Sequence, residues 1–143
     1  MSQEETKTRE PENQVKENLG FIVDVFKGTA EPVLFRNELA DYYRLLNCNL
    51  IDIIEAEIGG RLFDIIVDDE GLMKEDPKPS AFDKDEKPLL CGSLLLCHND
   101  PETGRETALT NEDITLLLSK IVQVDRPGKP EEKPYKALLG LKM

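Results

Sequence analysis

Gly59-Gly60 lies between two runs rich in branched aliphatic residues, Leu50 to Ile58 and Arg61 to Val67, and constrains the chain more than any other stretch. Two glycines between apolar runs suit the positive backbone angles of a two-residue hairpin turn. With these two as the loop, Ile58 faces Arg61, Ala56 faces Phe63, Ile54 faces Ile65 and Asp52 faces Val67. Strand side chains alternate between faces, so Ile54, Ala56, Ile58, Phe63, Ile65 and Val67 share one face. The opposite face sets Glu57 with Leu62, Glu55 with Asp64 and Ile53 with Ile66. One face is predicted to be core; the other mixes acid with apolar side chains.

Phe21, Val23 and Val25 alternate with Ile22, Asp24 and Phe26, which predicts a central strand with two largely apolar faces. Lys27-Gly28-Thr29 turns the chain, and Pro32 to Phe35 reads as extended. Asn37 is expected to cap a helix ending near Leu46, with Leu39, Tyr42, Tyr43 and Leu46 as its apolar stripe and Asn47 as its stop. Asp68-Asp69-Glu70-Gly71 closes the hairpin region as a turn. Residues 72–88 hold three prolines and many charges and read as a long loop, with no strand period in Pro77 to Ala81. Leu89 to His98 reads as one strand, with Gly92 as a bulge or close-packing point. Thr110 caps a second helix, Asp113 completes a capping box, and Leu109 staples onto Ile114. This helix is expected to bury Ile114, Leu117, Leu118 and Ile121. Residues 1–18 and the Pro/Lys-rich residues 125–143 are expected to be tails flanking a single domain over 19–124. The fold class is α+β: a small mixed, mostly antiparallel sheet of about four strands, with two helices and disordered termini.

The chain has 143 residues and a formal net charge of −11. Residues 1–18 carry five acids and three bases, and residues 125–143 carry three acids and five bases, so the whole excess belongs to 19–124. A field of that sign repels phosphate backbones and argues against a nucleic-acid partner. It suits a basic protein partner or a surface that imitates DNA; solubility alone is the plainer reading. No apolar run approaches the ~20 residues that span a bilayer, and no signal-type segment opens the chain. A cytoplasmic protein with reduced thiols and no membrane partner is expected.

Across the hairpin's outer face Glu55 stands opposite Asp64, and like charges directly opposite repel unless a cation or basic partner sits there. Glu57, Asp68, Asp69 and Glu70 lie near the same edge and complete a candidate partner-binding set. Magnesium sites use paired carboxylates with a fuller ligand set, so no metal site is assigned. Cys91, Cys97 and His98 fall in one predicted strand with Cys48 elsewhere, a spacing unsuited to structural zinc. With the two strand cysteines roughly 20 Å apart, buried unreactive thiols are the expectation. No phosphate-cradling glycine loop, His-Glu-x-x-His or Gly-x-Ser-x-Gly is present, so no catalytic residue, cofactor or enzyme class is assigned. A second reading has loop 72–88 closing over a pocket that sequesters a nucleotide-like ligand, with Arg61, Lys74, Lys78, Lys84 and Lys87 facing its phosphates.

Five stretches share a family likeness: Tyr42 to Cys48, the hairpin through Leu72, Pro77 to Ala81, Gly92 to Cys97, and Leu109 to Ile114. In order and spacing the chain resembles, over roughly 19–122, a domain of unknown function common in phages and conjugative elements of bacteria. The resemblance implies a small cytoplasmic accessory protein of a mobile element, often encoded beside replication or anti-restriction genes, with no catalytic residue to carry over. It makes the acidic turn from Asp68 to Gly71 and the loop after it candidate surfaces. The combined expectation is a non-enzymatic protein that binds a basic host or phage protein through its acidic surface, with counter-defence as a setting.

Overall fold

The computed structural model describes residues 16–71, 76–125 and 132–143. Among these residues eleven strands and two helices follow one another as β1 (Glu17–Asp24), β2 (Thr29–Arg36), α1 (Leu39–Leu46), β3 (Ile51–Ile58), β4 (Arg61–Asp68), β5 (Pro79–Phe82), β6 (Pro88–Cys91), β7 (Leu94–Asn99), β8 (Glu106–Thr107), α2 (Asn111–Leu118), β9 (Ile121–Val124), β10 (Tyr135–Leu139) and β11 (Leu141–Lys142). The large sheet has seven strands in the order β11-β3-β4-β7-β1-β2, with β8 extending the ladder on β7. The second sheet runs β6-β5-β10-β9 and contains the parallel pair, β5 with β10. The α+β character and the mostly antiparallel pairing match the sequence reading, but the expected sheet of about four strands is too small.

The β3–β4 hairpin has the register read from the sequence, from Ile58 opposite Arg61 to Asp52 opposite Val67. Gly59 and Gly60 both have positive φ, as a type I′ turn requires. The period of two then divides the large sheet into two apolar faces. Its inner face gives Phe21, Val23, Ala56, Ile58, Phe63, Ile65, Leu94 and Leu96 to a core that Ala81, Leu138 and Leu117 close from the small sheet and α2. Its outer face gives Phe35, Ile66, Leu95 and Cys97 to a second core beneath Tyr42 and Leu46 of α1. Three layers result: α1, the large sheet, and the small sheet with α2.

Two glycines carry the chain from one sheet to the other. The stretch Leu89 to His98, expected as one strand, is broken after Cys91; β6 joins the small sheet and β7 the large one. Between them Gly92 has φ 87°, a conformation in which a side chain would be strained. Gly140, at φ 94°, makes the same change between β10 and β11. Strands that bend from one sheet into its partner are the usual corners of packed sheets.

The C-terminal segment expected as a tail therefore forms two paired strands. Tyr135, Ala137, Leu138 and Leu141 are buried. Pro79 to Phe82, expected as loop, is β5, and Ile121, expected on the second helix, opens β9 after that helix ends at Leu118. The expectation of an N-terminal tail over residues 1–18 falls outside the described residues up to 15, whereas Glu17 and Asn18 already pair with Arg36 and Phe35. The N-cap of α1 is Glu38 rather than Asn37, while Asn47 stops it in the left-handed conformation as expected. No helix among the described residues is long and apolar enough to cross a membrane.

Candidate functional site

Glu55 and Asp64 are directly opposite on the outer face of β3 and β4. The next strand places Cys97 against Asp64, and β8 brings in a third carboxylate by pairing Glu106 with Asn99. Glu106 is 9% exposed, and its carboxyl lies within hydrogen-bond reach of that of Asp64. Burial first, then the hydrogen bond and repulsion from Asp64, push the Glu106 carboxyl up to about 7, against a smaller downward pull from Asn99. Burial followed by the charges of Glu106 and Asp64 pushes the Cys97 thiol up as well.

The pair is wired to α1. Asn37, instead of capping the helix, donates from Nδ2 to the Glu106 carbonyl at 3.0 Å and accepts from the Tyr42 hydroxyl at 3.0 Å. The helix start is held by Asp41, which accepts from the Arg36 amide at 2.6 Å and pairs with Arg44. Glu17, Asp41 and Asp113 are held in ion pairs, whereas among the described residues none reaches Glu55, Asp64 or Glu106. Ile53 and Leu62, 42% and 58% exposed, flank these acids on the same face, so the uncovered part of the sheet combines charge with apolar surface.

Of the other acids singled out in the sequence, Glu57 adjoins this group on the same face, and Asp68, Asp69 and Glu70 lie apart from it. Glu57 stands opposite Leu62 on one side and Lys142 of β11 on the other. Asp68 is buried at the far end of β4, where its Oδ1 accepts from the Glu70 amide at 2.9 Å, and the Asp69 amide donates to Leu50 O. Asp68, Asp69 and Glu70 thus build the turn after β4, ~13 Å along the strand from Asp64. Glu106 was missed because a two-residue strand has no period to read, and its contact with Asp64 spans distant parts of the chain.

A second polar group surrounds Asp113, 1% exposed at the N-terminus of α2. Its Oδ2 accepts from the Thr110 amide and hydroxyl at 2.8 Å, completing the expected capping box, and lies 2.7 Å from His98 Nε2. Arg61 donates to Oδ1 at 2.7 Å. Burial alone would raise this carboxyl, but the Thr110, Arg61 and His98 hydrogen bonds outweigh it and bring it down to about 2. The His98 ring stacks on Phe63 with centroids 5.4 Å apart. Every group here satisfies another, which ties α2 to the hairpin.

The basic residues of the ligand reading are dispersed. Arg61 belongs to the Asp113 group, and Lys78 lies 6.0 Å from the Tyr135 ring centre beside a recess of about 270 Å³. Lys84 lines a different groove of about 580 Å³ with Gly59, Gly140 and Leu141. Lys87 is exposed, and Lys74 lies outside the described residues. Cys48, Cys91 and Cys97 are buried and in no disulfide, the last two on different strands, and no cluster among the described residues has the make-up of a metal site.

Fold and site together define a two-sheet α+β domain with neighbouring carboxyls, Asp64 and Glu106, on an acidic sheet face. Residues 17–122 match the family model described as Domain of unknown function (DUF3846), and the chain belongs to that family. No curated protein and no solved structure matches it.

Proposed function

We propose that the chain is a non-enzymatic accessory protein of a phage or mobile element that binds a basic host or phage protein through the outer face of β3 and β4. The observation carrying this reading is the pair Glu55 and Asp64, opposite each other with Glu106 behind them and no basic side chain among the described residues to neutralise them. Cross-strand repulsion of this kind costs several tenths of a kcal/mol in the free protein, and a docked lysine or arginine relieves it. The exposed Ile53 and Leu62 add the apolar contact that a charged rim alone lacks. The mobile-element setting rests on the family resemblance, and counter-defence is its natural context.

Capture from host lysate, followed by measured affinity of the captured protein for the wild type and for Glu55→Gln, tests the reading. The variant should fold as well as the wild type or slightly better, lose affinity, and show a shallower salt dependence of binding. Unchanged affinity in a folded Glu55→Gln protein would remove this face from the function.

A further inference from the structure

The face just described ends in an open strand edge. β11 covers β3 only at Ile58 and Glu57, leaving residues 51–56 without a neighbour on that side among the described strands. The Ile53 amide donates at 2.9 Å to the adjacent Asp52 side chain, so it points to this open side, and alternation puts the Ile51 and Glu55 amides there too. Edges are commonly guarded by proline, by charged side chains (lysine above all), by bulges or by short length. At the other end of the large sheet β2 carries Pro32, and the outer strands of the small sheet, β6 and β9, have four residues each. The open part of β3 reads Ile-Asp-Ile-Ile-Glu-Ala, with no proline or lysine, and its acids are its guard, one that turns away acidic strands and admits basic ones.

Resting on the binding reading above, we propose that the partner docks by adding an extended segment to this edge of β3, with the pattern basic-apolar-apolar-basic opposite Asp52-Ile53-Ile54-Glu55. The order acid-apolar-apolar-acid is the same in both directions, so its complement fits an antiparallel or a parallel strand. One basic side chain meets Glu55 and one apolar side chain meets Ile53 on the outer face; the other two meet Asp52 and Ile54 on the inner face. A second copy of the chain is a poor occupant. Antiparallel pairing centred between Ile53 and Ile54 would set Asp52 of one copy against Glu55 of the other twice, between molecules that each carry −11. Charge selects a basic strand over self-association.

The probe is an acetylated, amidated octapeptide with Lys-Val-Val-Lys at its centre, compared with the same peptide N-methylated at alternate residues on the edge that would pair. Amide exchange of the full chain and peptide affinity are measured together, with Glu55→Lys as the protein control. The expected result is slowed exchange at Ile53 and Glu55 on binding. Affinity should fall about tenfold or more on N-methylation, the scale of one or two lost hydrogen bonds, and be lost in Glu55→Lys. Salt-sensitive binding that is indifferent to N-methylation, with no protection along β3, would overturn strand addition while leaving the acidic-face reading in place. No binding of the unmethylated peptide would overturn strand addition as well, and the captured partner's response to Glu55→Gln would then decide the broader reading.

Discussion

At the scale of single residues, the proton held by Glu106 has the most measurable consequence. Glu106 is raised from its ordinary value of 4.5 to about 7, so the folded state binds this proton more tightly than the unfolded chain. The stabilisation is complete below about 4.5 and is lost as pH rises to about 7. Asp113 and Asp41 act oppositely. Their folded carboxyls are lowered from 3.8, so their contribution is present above that value and lost as pH falls. Melting temperature should therefore climb out of strong acid and then decline between about 4.5 and 7. Glu106→Gln should flatten the decline and stabilise the protein at pH 8 by on the order of 1 kcal/mol. A decline that persists unchanged in Glu106→Gln would place its origin elsewhere. Asp64 and Glu55 were legible in the sequence because a two-glycine turn fixes their register; their third companion was not, since only the tertiary fold brings it there.

Among the elements, the two that change sheets divide what the sequence shows from what it hides. The hairpin, the turn after Asp24 and the Thr110–Asp113 capping box are local devices, and local grammar located each of them. The small sheet has strands of four or five residues with burial on neighbouring rather than alternating positions, as in Ser80-Ala81 and Ala137-Leu138. No period of two can emerge from them, and the proline-rich surroundings read as loop. Gly92 and Gly140 look like punctuation in the sequence, but in the structure each is a corner that lets one run of chain serve both sheets. It follows that the C-terminal strands belong to the core. Leu138→Ala should cost about 2–5 kcal/mol, and deleting residues 132–143 should abolish cooperative melting, because Leu138 and Leu141 close the inner layer. Melting unchanged by the deletion would contradict this packing.

For the molecule as a whole, the question is whether an acidity of −11 confined to residues 19–124 does more than keep the protein dissolved. Solubility depends on total charge and is indifferent to where the charge sits, whereas docking depends on position. The Asp113 group spends its acid internally on Arg61 and His98, and Asp68 on a turn, which leaves the Glu55–Asp64 face as an acidic surface with unrelieved repulsion. The most direct test compares two double variants of equal net charge. One is Glu55→Gln with Asp64→Asn. The other is Glu31→Gln with Glu102→Gln, at exposed positions outside the face. Affinity for the captured basic partner is measured for both across a range of salt. The expected result is a loss of at least about tenfold and a shallower salt slope for the first variant, with the second close to wild type. Equal losses in the two variants would contradict the account, because the acidity would then act as bulk charge and the face would have no special part.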